Sequence, residues 1–188
     1  MTREEILKRY PLSFLVVDTP EKLARLWENV RQFPLLFDDF TWGNVEVFVG
    51  MLQRTDAHYY AIGDVGVAWL LNTRPGATAD FFVCYWGPCS HDAKMEIFKI
   101  ITRDAFYRFN LKRVGITCYA QNVPIVKMCG EAGVHLDGIL RKALMLRGEL
   151  CDVHAYSYMR EEAFEWAGRE EYDPDLIRLP IPPDAVVN

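Results

Sequence analysis

Two carboxylates stand side by side in an aromatic setting: Leu36-Phe37-Asp38-Asp39-Phe40-Thr41-Trp42-Gly43. Paired acidic groups among aromatic rings suit a cationic amine, held by ion pairing and cation–π contact. The same stretch also reads structurally, with Phe37, Phe40 and Trp42 in the core and one aspartate capping the next helix. Five cysteines (Cys84, Cys89, Cys118, Cys129, Cys151) are odd in number, scattered and without a Cys-x-x-Cys pair. That pattern argues against a disulfide framework or a structural zinc site and fits a reducing, cytoplasmic compartment. Cys89-Ser90-His91-Asp92 contains metal-ligating residue types, but its spacing is no chelate, so no metal is expected.

These residues need a scaffold, and the hydrophobic pattern supplies one. The first 12 residues read as a short helix ended by Pro11, and residues 13–17 read as a buried strand. Thr19 and Pro20 open a helix whose apolar stripe is Leu23, Leu26, Trp27 and Val30; a second covers 44–54. A meander follows: strands at 58–63 and 65–72 around Gly63-Asp64, then 79–86, apolar on both faces as in a central strand. Residues 91–110 turn helical, 113–119 are a strand, and 122–132 are a short helix closed by Gly133. Two long strands, 136–146 and 153–159, flank Arg147-Gly148-Glu149.

The 188 residues suit one domain, expected over 1–165, with an acidic, Pro-rich extension over 166–188. Residues 161–188 hold eight acidic and two basic side chains, a net −6, so the rest sums to +1 of the total −5. No basic stripe marks a nucleic-acid partner. No run of about 18 apolar residues marks a membrane span, and Met1-Thr2-Arg3-Glu4-Glu5 lacks the apolar stretch of a secretory signal.

The order of elements, and residues 105–162 in detail, resemble the GNAT superfamily of acetyl-coenzyme A-dependent N-acyltransferases. Ala105-Phe106 with Leu111-Lys112-Arg113-Val114 is similar to the "aF…l.Rv" segment of the branch that acetylates ribosomal-protein N-termini. Residues 121–134 (QNVPIVKMCGEAGV) resemble its "N-x-x-[AS]-…-LGF" helix, and 135–141 (HLDGILR) its "x-x-E-G-x-L-R" strand. Residues 148–162 (GELCDVHAYSYMREE) resemble "G-x-x-x-D-x-x-x-Y-S-x-x-R-E-E". The N-terminal half matches in element order only.

The resemblance implies an α/β (α+β) fold with a mixed, mostly antiparallel sheet of about seven strands flanked by helices. It implies a V between the fourth and fifth strands that admits a pantetheine arm. Phe82, Val83, Cys84, Tyr85 and Trp86 would then offer backbone groups, and Asn122 its carboxamide, although Asn122 also reads as a plain N-cap. Asp137 stands in the family's carboxylate position as a base, or shapes a strand kink beside Gly138. Cys129 stands in the tyrosine slot as an acid, or is inert packing. Asp38, Asp39, Phe40 and Trp42 would border the acceptor.

The phosphate loop departs from the family's Q/R-x-x-G-x-G/A. In Trp86-Gly87-Pro88-Cys89-Ser90-His91-Asp92, only Gly87 is a glycine and Pro88 has no donor. Asp92 brings a negative charge to a phosphate position, while Ser90 and His91 remain as ligands, with Ser90 also readable as a helix cap. The implied function is acetyl-CoA-dependent transfer to a protein N-terminus or small amine, by a monomer or homodimer. The alternative is a GNAT-shaped binding or structural protein that has lost coenzyme A, similar to acyltransferase-like reading frames of tailed phages.

Overall fold

The computed structural model describes residues 1–167 and Ile177. Helix α1 (Arg3–Arg9) opens with a capping box, in which the Thr2 and Glu5 side chains each accept the other residue's backbone N–H. Strand β1 (Leu12–Phe14), α2 (Pro20–Val30), a 3₁₀ turn (Pro34–Leu36) and α3 (Val45–Leu52) follow. The meander is β2 (His58–Ile62), β3 (Gly66–Arg74) and β4 (Thr78–Tyr85). Then come α4 (His91–Arg108), β5 (Arg113–Tyr119), α5 (Val123–Glu131), β6 (His135–Leu146), β7 (Glu149–Met159) and α6 (Arg160–Ala167). Strand β1 is shorter than the sequence reading of 13–17; after Leu15 donates to Tyr59 O, Val16 is already exposed. The expected C-terminal extension lies outside the described residues, apart from the end of α6 and Ile177.

The seven strands lie in the order β1-β2-β3-β4-β5-β7-β6, antiparallel except for β4 beside β5. Strand β3 is apolar on both faces because both faces are covered. Ala68 and Leu70 pack with α1, α4 and α6, whereas Val67, Trp69 and Leu71 pack under α2 and α3. Long α4 seals its face with Ile97, Phe98, Ile101, Ala105 and Phe106, all nearly or fully buried. Ile177 joins the same cluster.

Two departures from regularity matter for the site. Strands β4 and β5 share only the rungs Thr78–Arg113, Ala79–Val114 and Asp80–Gly115, and then part. The edge strand β6 breaks register with β7 twice, between Leu136 and Gly138 and between Leu140 and Leu144. At the second break Lys142 adopts φ 51° and gives its N–H to the Asp152 carboxylate at 2.8 Å.

Candidate active site

The gap between β4 and β5 is where backbone polar groups are left for a ligand. The N–H of Trp86 bonds Val65 O on the β3 side, and that of Arg113 bonds Ala77 O on the β4 side. Strand alternation then turns Val83 and Tyr85 of β4 toward the gap, and Thr117 and Tyr119 of β5 toward it from the other side. Two cavities open here. An inner one of about 280 Å³ lies under the α2–α3 face; an outer one of about 800 Å³ runs toward the start of α4. They share Leu35, Leu36, Val83, Asn122 and Ile125 as common walls.

The loop carrying the paired carboxylates is anchored on both sides. Phe37 is buried against Trp27 and Phe48, with ring centroids 6.4 Å from each, and its carbonyl accepts the Tyr119 hydroxyl at 3.4 Å. Asp39 turns away from the cavities: its two oxygens take the N–H groups of Arg147 and Gly148 at 2.6 and 2.7 Å. Those residues form the β6–β7 turn, with φ 54° and 79°, which glycine at the second position makes cheap. Asp38 lines the inner cavity. Its Oδ1 accepts from Phe40 N, Thr41 N and Thr41 Oγ1, and its Oδ2 has no protein donor among the described residues. Phe40 is 83% exposed rather than packed in the core. Trp42 gives its Nε1–H to Arg31 O and carries the Arg147 guanidinium over its ring at 5.8 Å.

Asn122 precedes α5, but its side chain makes no capping hydrogen bond. Asn122, the N-cap residue by position, lines both cavities. Phe82 lines the inner cavity, Cys84 and Tyr85 the outer, and Val83 both. Trp86 lies on the far side of β4, where its indole donates to Asp64 O at 2.6 Å.

At the start of α4, Ser90 is the N-cap and its hydroxyl accepts from Ala93 N at 3.3 Å. His91 pairs with Glu131 at the end of α5, joining the two helices. Asp92 does not face the cleft: it lines a separate notch with Arg3, Glu96 and Lys99. Lys94, one turn in, lines the outer cavity, with its ammonium 4.9 Å from the Tyr85 ring centre.

The two residues expected to move protons stand elsewhere. Cys129 is wholly buried in the α4-side core, lines neither cavity, and burial pushes its thiol up to about 12. That is inert packing, the second of its two sequence readings. Asp137 sits at the first β6 register break and lines neither cavity. Ser157 Oγ donates to it at 2.6 Å and Arg113 Nη2 at 2.9 Å. Those contacts, Ser157 first, hold its carboxyl below the usual range, which weakens it as a base. Its kink-shaping reading is the one the geometry matches.

Sequence reasoning missed Tyr119, Trp69 and Arg147 as cavity walls. Burial first, and the nearby Asp38 charge second, push the Tyr119 phenol up to about 12, so it keeps its proton. The Trp69 indole Nε1 is buried without a hydrogen-bond partner among the described residues. The alternation at 113–119 already placed Tyr119 on one side of β5, but nothing local showed that the strand's neighbour would leave it.

No protein-family model matches the chain, and no curated protein sequence matches it. Solved structures do. Spermidine N-acetyltransferase from Vibrio cholerae, in complex with CoA and spermine, matches with TM-score 0.66 and 14% identity over 81% of this chain and 98% of its own. A variant of that enzyme matches with TM-score 0.67 and 14% identity over 87% and 99%. A further structure, provisionally described as an acetyltransferase, matches with TM-score 0.66 and 18% identity over 87% and 92%. At these identities the likeness shows the fold. The chain has the α/β fold of the GNAT acetyltransferases, with a seven-stranded, mostly antiparallel sheet and six helices among the described residues.

Proposed function

We propose that the protein is an acetyl-CoA-dependent N-acetyltransferase that acts by direct transfer to an amine. The observation that carries this reading is the parting of β4 and β5 after three rungs into two joined cavities, the outer bearing Lys94, Arg147 and Glu149 and the inner bearing Asp38. The outer cavity fits the cofactor. The backbone groups of Val83 and Tyr85 and the uncapped Asn122 carboxamide suit an amide-rich arm, and Lys94 and Arg147 suit phosphate. Acetyl-coenzyme A supplies the acyl group as a reactive thioester.

This chain's own residues would do the rest. Asp38 Oδ2 accepts the amine proton, directly or through one water. The Val83 N–H is placed to polarise the acyl carbonyl. Tyr119, which stays protonated, would turn its hydroxyl from Phe37 O to hydrogen-bond the departing sulfur, and the thiolate takes up the proton that the amine has given to Asp38. Holding amine and acyl carbon at the junction of the cavities supplies much of the rate by orientation alone.

One observation favours a second reading, a binding protein without coenzyme A. The segment before α4 offers phosphate few donors: Gly87 N–H goes to Val65 O and Pro88 has none. Titration with acetyl-CoA separates the two. A ligand bound only by the native state raises the melting temperature. A rise at millimolar acetyl-CoA, with acetyl transfer seen by mass spectrometry, supports the enzyme; no rise and a flat calorimetric trace support the binding protein.

A further inference from the structure

The inner cavity has an unusual lining for a cation site. Its walls include Leu36, Leu71, Phe82 and Leu144, and Asp38 is its only charged side chain among the described residues. A polyamine carries several positive charges, each needing a counter-charge or water to leave bulk solvent. This cavity supplies one. Its volume, about 280 Å³, equals roughly nine water volumes at about 30 Å³ each, enough for a ring and a short arm.

A second feature bears on the body of the ligand. Trp69 belongs to the same wall, stacked on Phe82 with ring centroids 5.9 Å apart. Stacked rings of this kind make a flat apolar wall that suits a ring or a branched chain. The half-free Asp38 carboxylate and this ring pair line the same cavity.

We infer that the acceptor is a small primary amine with one positive charge and an aromatic or branched apolar body, and not a polyamine. This rests on the acyl-transfer reading above, since it names that reaction's acceptor. The ammonium pairs with Asp38 Oδ2, and the apolar body lies among Leu71, Trp69 and Phe82. Binding as the cation does not prevent transfer: loss of one proton to Asp38, or to water beside it, frees the lone pair.

The test is calorimetry on the full chain with phenethylamine, its neutral counterpart phenylethanol, spermidine, and a short peptide with an N-terminal alanine, each without acetyl-CoA. Phenethylamine is expected to bind at least tenfold more tightly than the other three: phenylethanol lacks the charge-assisted bond to Asp38, spermidine brings charges the cavity does not match, and the peptide brings polar groups to an apolar wall. Asp38→Asn keeps Oδ1 for Phe40 and Thr41 and is expected to weaken phenethylamine about tenfold. Equal or tighter binding of spermidine, of the peptide or of phenylethanol overturns the inference, as does no phenethylamine binding at millimolar concentration. Acetyl-CoA is titrated separately. If it does not bind while phenethylamine does, the acyl-transfer reading fails and the amine site stands. If it binds and spermidine is acetylated in preference, the amine assignment alone fails.

Discussion

Asp38 and Asp39 are neighbours in the chain with opposite duties: Asp39 closes both oxygens on the Arg147-Gly148 turn, while Asp38 keeps one oxygen free in the inner cavity. The clasp fixes the loop, and the fixed loop aims the free oxygen. The two part where the chain enters a turn, the N–H groups of Thr41 and Trp42 bonding Asp38 O.

The clasp is testable through stability. Asp39→Ala leaves two backbone N–H groups to water and removes two charge-assisted bonds. A loss of about 1–2 kcal/mol in denaturant unfolding is expected, moderated by partial exposure. Faster amide exchange at Arg147 and Gly148 locates the effect; unchanged exchange there disproves the clasp.

The proton-transfer role of Asp38 has a kinetic signature. Once an acceptor is in hand, Asp38→Asn is expected to lower kcat by roughly 10²–10⁴-fold while leaving acetyl-CoA affinity nearly unchanged. Asp137→Asn is expected to leave kcat within about twofold, because Asp137 lines neither cavity. The reverse outcome would return the base to Asp137.

Acid titration reads Asp137 directly. Its carboxyl is held below 3.8 by Ser157 first and Arg113 second. A depressed folded value means that this contribution to stability is present above the unfolded value and is lost as pH falls through the lowered one. Ser157→Ala should therefore move the Asp137 titration, followed by carboxyl NMR shifts, upward toward 3.8. No movement would show that Ser157 is not the main cause.

Thiol reactivity tests the placement of Cys129. Burial raises Cys84 and Cys129 to about 12 and Cys118 to about 11, while Cys89 is only half buried. At pH 8 the native chain is expected to alkylate at Cys89 first, with Cys129 protected until unfolding. Early labelling of Cys129 would mean that it meets solvent in the cleft after all.

Lys94 probes the outer cavity. Lys94→Ala is expected to weaken acetyl-CoA by about threefold to tenfold at low ionic strength, and by less in high salt. Affinity that ignores both the mutation and the salt would place the phosphates away from α4.

Much of this architecture was legible in the residues. Apolar runs bounded by turn residues located β3 and β4, the Thr19-Pro20 pair located the start of α2, and Gly133 marked the end of α5, where it adopts φ 68°. Each depends on its own neighbours in sequence. The site was less legible because its features depend on partners far along the chain. Nothing near Asp92 reveals that α1 will draw it into a notch beside Arg3. Nothing near Asn122 reveals that its carboxamide will leave α5 uncapped. Cys129 and Asp137 were matched to family positions by alignment of letters, and only burial and hydrogen bonding separated the letters from the roles.

The two breaks in β6 bear on what a foreign strand would meet at this edge of the sheet. Only Gly138 to Leu140 keep regular pairing between them, opposite Ala155 to Val153. A foreign strand laid along the outer edge would find a short straight stretch bearing Ile139 and Leu140, and a backbone that swerves at each end. Asp137 stands at one swerve and Lys142 at the other, two opposite charges flanking the greasy segment. Such an edge is a poor seed for ordered stacking, so the sheet stops growing by design of its own last strand.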